Sequence, residues 1–199
     1  MWSTTSGGAT GASAPTSSDD LTLDAATCVG GTTCTITTFS GTINVLTLTM
    51  SACTASTTGC ILDASANNTN FNILSASSGL ISSGSGTRTL NMGNGTWTLS
   101  GASALLNFQG ATNFTFNANS STITFTGTVS GTKRLLGGNK TFNNFSTAAS
   151  GYSLQISQAN TFNTFTVAAP NRILFPGNTT TTITTLTNIS ASVSNPVLF

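Results

Sequence analysis

Histidine and glutamate are absent from this chain of 199 residues, and only nine residues carry a formal charge. Without histidine there is no general base for an ordinary catalytic triad and no imidazole ligand for a mixed zinc site. A net charge of +1 excludes the broad positive field that draws proteins to nucleic acids or anionic membranes. No apolar run approaches the length of a membrane-spanning helix. We therefore expect no nucleic-acid partner, no membrane insertion and no cofactor.

Threonine, serine, asparagine and glycine take the place of the missing charges, while Phe, Leu, Ile and Val recur at short, regular intervals. Polar and apolar residues alternate in segments such as INVLTLTM, from Ile43, and TITFT, from Thr122. Alternation with a period of two over such short runs is the pattern of β-strands. Glu, Lys and Arg, the usual residues of exposed helix surfaces, are nearly absent. The sequence predicts an all-β fold.

A five-residue pattern, T-[IF]-[TN]-[TN]-[FL], occurs at residues 35–39, 141–145, 161–165 and 182–186. The last three copies start 20 and 21 residues apart. A repeat of this length with two or three short strands predicts one coil of a single-stranded parallel β-solenoid (β-helix), with coils of about 20 residues. The alternative is an antiparallel β-sandwich, which also has short strands and regular turns.

In a solenoid, the apolar residues of each copy would stack inward from coil to coil. Asn143 and Asn144 would form a corner between two inward-facing phenylalanines, because asparagine tolerates left-handed backbone and can form ladders of side chains. The predicted core-stacking residues are Ile36, Phe39, Phe142, Phe145, Phe162, Phe165, Ile183 and Leu186.

The chain divides by composition into two parts. Residues 1–20 are rich in Gly, Ser and Thr and predict an irregular lead-in, a cap or a segment between subunits. Alternation begins at Leu21, so residues 21–199 are assigned to the solenoid.

Four cysteines lie at positions 28, 34, 53 and 60. Their spacing does not match a C-x-x-C zinc motif. An even number of cysteines in a chain of this composition predicts two local disulfides, Cys28–Cys34 and Cys53–Cys60, and the alternative is four buried free thiols.

Two segments resemble a group of bacteriophage and metagenomic right-handed β-helix proteins, which occur in virions, in tail fibres and on bacterial surfaces. The first is WSTTSGGATGASAPTSSDD at residues 2–20; the second comprises GGNKTFNNF at residues 137–145 and NTFNTF at residues 160–165. The resemblance implies a structural role outside the cell or on a virion, and it identifies no catalytic residue.

Polysaccharide cleavage, a frequent activity of phage β-helix proteins, requires a suitable pair of carboxylates. Only Asp19, Asp20, Asp24 and Asp63 are available, and the first three cluster near the lead-in. We expect them to be turn or loop residues. The same three do not form the D-x-D-x-D-G arrangement of a calcium loop. The sequence therefore predicts neither an enzyme nor a metal site.

T-x-T triplets, the pattern of ice-binding solenoids, occur at Thr35, Thr47, Thr122 and Thr182. Ice binding requires threonine in the same two rows on every coil. When the chain is aligned on a 20-residue repeat the triplets fall in different rows, so we expect them to be ordinary strand surface.

All acidic residues lie at or before Asp63 and all basic residues lie at or after Arg88. On a solenoid this order makes one end negative and the other positive, and it favours head-to-tail stacking into a fibre. The candidate assembly residues are Val197, Leu198 and Phe199; the alternative is that a further coil of a longer protein covers them.

These features together predict a non-enzymatic structural protein in an extracellular, cell-surface or virion fibre, present as a homo-oligomer or polymer. The alternative is an adhesin module that binds glycans on a host surface. Trp97 or Tyr152, if exposed, would stack on a sugar, but we expect both to pack against the coil or a neighbouring loop.

Overall fold

The computed structural model describes residues 11–24, 34–51, 59–75, 79–101, 105–127, 131–147, 152–167, 172–175 and 177–187. These residues form β-strands and no helix. The strands are β1 (Asp20–Leu23), β2 (Cys34–Thr37), β3 (Thr42–Val45), β4 (Thr47–Met50), β5 (Cys60–Asp63), β6 (Asn70–Ile73), β7 (Gly79–Ser82), β8 (Arg88–Asn91), β9 (Thr96–Ser100), β10 (Leu105–Asn107), β11 (Phe114–Asn117), β12 (Thr122–Thr126), β13 (Thr132–Leu136), β14 (Thr141–Thr147), β15 (Ser153–Ser157), β16 (Thr161–Val167), β17 (Arg172–Leu174) and β18 (Thr182–Thr187).

The strands form three sheets in which each strand pairs with the equivalent strand of the next coil. Sheet 1 has the order β1-β4-β7-β10-β13-β15-β17, sheet 2 the order β2-β5-β8-β11, and sheet 3 the order β3-β6-β9-β12-β14-β16-β18. The pairings are parallel, for example between β1 and β4, β2 and β5, and β3 and β6. The fold is thus an all-β parallel solenoid, as the repeat predicts, and the antiparallel sandwich is wrong.

The coils are of two kinds. Coils 1–4 each place one strand in every sheet, whereas the described residues of coils 5–7 form strands in sheets 1 and 3 only. The register reflects this difference: Trp97 pairs with Ile123, 26 residues on, and Phe142 with Phe162, 20 residues on. The spacing between paired residues is thus 20 from β14 to β16 and 26 from β9 to β12, because the earlier coils contain an additional strand.

The core consists of apolar rows, one residue per coil, that run along the inner faces of the sheets. In sheet 3 the in-register row is Ile43, Phe71, Trp97, Ile123, Phe145 and Phe165, all of them buried. In sheet 1 it is Leu48, Leu80, Leu106, Leu135 and Ile156. Each side chain thus packs on the coils above and below, and burial of apolar area on this scale is the main stabilising contribution.

The repeated segment forms a corner. Phe142 and Phe145 are both buried, while Asn143 and Asn144 between them are only half-buried. The Phe142 ring stacks on that of Phe162 with centroids 5.3 Å apart, and the ring of Phe145 stacks on that of Phe165 at 5.2 Å. At the bend, Asn163 Nδ2 donates to Asn143 Oδ1 over 3.2 Å, which gives a ladder between coils.

The turn before each repeat uses left-handed backbone, although not at the same position in every coil. Asn139, Gln158 and Asn178 have φ values of 59°, 70° and 66°. Asparagine accepts this conformation more readily than most residues, which explains its recurrence. The side chains connect coils as well: Asn139 Oδ1 accepts from the backbone N–H of Ala159 over 3.0 Å, and Gln158 Oε1 from that of Gly138 over 3.0 Å.

Two of the predicted core residues are exposed. Phe39 has 43% of its surface exposed, because Thr38 takes the inward position and its hydroxyl lies 2.5 Å from that of Thr69. Leu186 continues the row of Phe165 but is 41% exposed, in the last strand of its sheet that the structure describes. Ile36 and Ile183 are partly buried and pack against the core.

The division between lead-in and solenoid was placed after residue 20 from composition alone. β1 begins at Asp20, and residues 11–19 contribute to none of the strands. The division at residue 20 stays a prediction.

Candidate functional sites

The four aspartates are the first candidates for chemistry, and three of them are engaged by nearby hydroxyl groups. Asp19 accepts from the backbone N–H of Thr16 at 2.7 Å and from its hydroxyl at 2.8 Å, and these bonds lower the pKa of Asp19. Asp20 accepts from the hydroxyl of Thr47 in the next coil.

Asp63 closes a turn in the same manner. Its carboxylate accepts from the hydroxyl of Ser65 at 2.5 Å and from the Ser65 backbone N–H at 2.9 Å, and the hydroxyl bond is the main reason why its pKa is lowered. A carboxylate held in its ionised form is poorly suited to act as a general acid. Among the described residues, no three His, Cys, Asp or Glu side chains lie close enough to hold a metal ion.

Arg88 is a fully buried cation in the inner row of sheet 2. Its guanidinium donates to the hydroxyl of Ser82 at 3.0 Å and to the carbonyls of Gly86 and Gly84 at 2.6 and 3.0 Å. Burial lowers the pKa of Arg88. These acceptors are neutral and surround the guanidinium, so the residue joins the ends of β7 and β8 and leaves no anion site open.

Lys133 and Tyr152 form a second buried polar pair. Lys133 Nζ donates to the carbonyl of Gly101 and lies 4.8 Å from the centre of the Tyr152 ring. The Tyr152 hydroxyl donates to the carbonyl of Phe125 over 3.2 Å. Desolvation lowers the pKa of Lys133 and raises that of Tyr152. Both residues connect adjacent coils from inside the core.

Lys140 lies where sheet 2 ends. Its Nζ donates to the carbonyl of Phe114 in the edge strand β11 over 2.8 Å and lies 5.4 Å from the centre of the Phe114 ring. The backbone of Gly138 approaches so closely that a Cβ there would lie 2.5 Å from the carbonyl oxygen of Phe108. The segment between β13 and β14 thus covers the end of sheet 2, and the row of that sheet continues from Phe116 to Phe142, whose ring centroids are 5.2 Å apart.

Neither aromatic residue considered for sugar stacking is available on the surface. Trp97 is fully buried, its ring stacked on Phe71 at 4.1 Å, and its Nε1 donates to the carbonyl of Met92. Tyr152 is also buried. Both side chains pack in the core, as expected from the sequence, so neither is placed to stack on a glycan.

Cys34 and Cys60, the two cysteines within the described residues, are each disulfide-bonded. Cys28 and Cys53 lie outside the described residues, so the predicted pairing of all four stays a prediction. The candidate assembly residues Val197, Leu198 and Phe199 also lie outside them.

A regular surface on the outer face of sheet 3, which we call the threonine face, was not predicted from the sequence. It consists of two adjacent in-register rows of short polar side chains. The first row is Thr42, Asn70, Thr96, Thr122, Asn144, Thr164 and Thr185. The second row is Asn44, Asn72, Thr98, Thr124, Ser146, Thr166 and Thr187. The triplets themselves are visible in the sequence, for example as T-x-T, N-x-N and N-x-S. They align from coil to coil only when the coil lengths of the structure are used.

No helix in the described part of the chain is long and apolar enough to cross a membrane. No protein-family model matches this chain, and no curated protein and no solved structure shows significant similarity to it.

Proposed function

We propose that this chain is a non-enzymatic structural protein that forms part of a virion fibre or an extracellular filament. The observation that carries the proposal is the continuity of the core. The buried row of sheet 3 runs from Ile43 to Phe165 without a polar interruption, and each residue of the row pairs with the next in register. A stack of this kind is a rod whose length is set by the number of coils.

The chemistry of the side chains supports a mechanical role over a catalytic one. The carboxylates of Asp19 and Asp63 are occupied by turn hydroxyls, and the buried cations Arg88 and Lys133 bond to groups within the fold. The disulfide-bonded Cys34 and Cys60 are suited to an oxidising compartment such as the cell exterior. The resemblance to phage and bacterial surface β-helix proteins points to the same setting.

The distribution of exposed charge supports head-to-tail association. Asp19 and Asp20 are exposed beside the first coil, whereas Arg134 and Arg172 are exposed on coils 5 and 7. Opposite charges at opposite ends attract when identical rods meet end to end, and a contact of this type does not close. Because the charges are exposed, we expect the attraction to weaken as salt increases.

Negative-stain electron microscopy of the purified chain tests this proposal. We expect unbranched filaments at micromolar concentration, shorter filaments at high salt, and shorter filaments for the double variant Arg134→Glu/Arg172→Glu. The double variant Thr89→Glu/Thr115→Glu adds acidic groups to the middle of the rod and should assemble like the unaltered chain.

Stable monomers, or closed trimers that bind a glycan array, would overturn the fibre proposal in favour of the adhesin. Removal of residues 195–199 tests the candidate assembly residues Val197, Leu198 and Phe199 separately. Unchanged filaments after this deletion would show that they are not the interface.

A further inference from the structure

We propose that the threonine face binds ice. This inference rests on the outer face of sheet 3 alone and does not depend on assembly into fibres. The face presents fourteen side chains in two rows over seven coils, comprising nine threonines, four asparagines and one serine. All of them are exposed or half-buried.

The spacing of the rows is the first argument. Parallel strands lie about 4.8 Å apart, and residues two apart on one strand are separated by about 6.6 Å. The threonine face is therefore a rectangular array of hydroxyl and methyl groups with these two repeats. Oxygen atoms on a prism face of hexagonal ice also recur in two perpendicular directions, at a distance somewhat shorter than the first of these repeats and somewhat longer than the second. A surface with similar repeats can hold water molecules in positions that continue the crystal.

The chemistry of the face is the second argument. No Asp, Lys or Arg belongs to either row, so the face carries no charge that would organise water around an ion. Threonine supplies a methyl group that fills space between waters and a hydroxyl that bonds to them. Its branched Cβ restricts χ1, so neighbouring threonines tend to present these groups in the same orientation.

Hydrogen bonds along the rows hold the side chains in place before any ligand arrives. Asn72 Nδ2 donates to Asn44 Oδ1 over 2.9 Å, and the hydroxyls of Thr166 and Thr187 lie 2.8 Å apart. Asn144 Nδ2 donates to the hydroxyl of Thr122 over 3.4 Å. A preordered surface loses little entropy on binding, and many weak contacts made together give a strong one.

Other ligands fit this face less well. Nucleic acid requires cations along its backbone, and the face has none. The outer face of sheet 1 shows that the regularity does not simply follow from the composition of the chain. Its corresponding positions include Ile81, Leu105, Arg134 and Leu174, which form no repeating polar row.

The difference from the sequence-based expectation has a simple cause. A 20-residue alignment displaces Thr96-Trp97-Thr98 and Thr122-Ile123-Thr124 from the later triplets, because coils 3 and 4 contain the additional strand of sheet 2. In the structure, Thr98 pairs with Thr124 and Thr166 pairs with Thr187. The triplet that begins at Thr182 is out of line, and Thr185 and Thr187 supply the two rows in its place.

Partition into slowly grown ice tests the proposal directly. The full chain and an inert reference protein are frozen together, and the protein in the ice and in the remaining liquid is measured. We expect the chain to be enriched in ice about tenfold over the reference, because many contacts act together. It should also slow the coarsening of small ice crystals.

Two matched double variants locate the effect. Thr98→Lys/Thr124→Lys places charge in the middle of the threonine face and should abolish the enrichment. Thr89→Lys/Thr115→Lys makes the same change on the outer face of sheet 2, in the same two coils and also in register, and should keep it. Far-ultraviolet circular dichroism checks that both variants fold. If Thr98→Lys/Thr124→Lys does not fold, Thr98→Val/Thr124→Val is used in its place, and the loss of its two hydroxyls should reduce the enrichment in ice.

Three results would overturn the proposal. One is an unaltered chain that is excluded from ice like the reference protein. Another is an equal loss of enrichment in both lysine variants. The third is binding to crystalline cellulose without enrichment in ice, which would assign the threonine face to a polysaccharide surface.

Discussion

Lys133 and Tyr152 show how single residues connect coils through the interior. A buried amine and a buried phenol each cost free energy unless they are paired, and here each donates to a backbone carbonyl of another coil. The sequence could not reveal this, because Lys133 occupies an inward position of an ordinary alternating strand, where an apolar residue is expected. Its long side chain follows the core to reach Gly101.

The pKa of Tyr152 predicts a loss of stability in alkali. Desolvation raises this pKa above the ordinary value of 10.0, so the folded chain keeps the phenol proton that the unfolded chain releases. The contribution of Tyr152 to stability is therefore fully present below about pH 10 and is lost as the pH rises further. Urea unfolding over a pH series should show this loss in the unaltered chain and not in Tyr152→Phe.

At neutral pH, Tyr152→Phe should be less stable by about 1 kcal/mol, because the carbonyl of Phe125 loses its donor. Lys133 has a lowered pKa and acts in the opposite direction, and it is present in both proteins, so the difference between the two pH series measures the effect of Tyr152 together with its contact to Lys133. Tyr152 is the only tyrosine, so near-ultraviolet absorbance reports its ionisation alone. A phenolate signal with an ordinary pKa in the folded protein would contradict the prediction.

At the scale of the strand, the same five-residue pattern has two outcomes. In β14 and β16 it forms a continuous strand with a bend, and both apolar residues face inward. This was predictable, since two apolar residues separated by two asparagines or threonines suit a corner. At residues 35–39 the pattern covers the end of β2 and the two residues after it, and Phe39 faces outward. The five-residue pattern alone does not show whether its coil contains two strands or three.

Alanine substitutions at the last position of the pattern should separate these two outcomes. Phe165→Ala removes a fully buried ring that contacts Phe145 and Phe162, and it should cost about 3–5 kcal/mol, since a cavity remains in a packed core. Phe39→Ala should cost less than about 1 kcal/mol, because the ring is largely exposed. Chemical denaturation of both variants measures the difference, and equal losses would show that Phe39 is packed in solution.

At the scale of the whole molecule, the type of fold could be predicted from the repeated segments, but the number of residues in each coil could not. Parallel pairing and the asparagine ladders were predictable, because near-identical segments at a short period can stack only on one another. The length of the early coils was not, because their sequences lack the repeat that marks the later ones. The threonine face was missed for the same reason.

Each coil of a solenoid contacts its neighbours alone, so local opening should be easiest at the ends. We expect backbone amides of β9 and β12, in the middle of sheet 3, to exchange with deuterium more slowly than those of β3 and β18 at its edges. Mass spectrometry of peptic fragments measures this gradient. Uniform exchange throughout the sheet would indicate that the chain opens only by unfolding as a whole.

The end of sheet 2 at β11 also has a mechanical consequence. In the part of the chain that the structure describes, the sheets form three walls around coils 1–4 and two around coils 5–7, so the cross-section narrows beyond Phe116. A beam that loses one wall resists transverse load less over the thinner part. A force applied across this molecule would therefore bend it first beyond β11, where Lys140 covers the last strand of sheet 2.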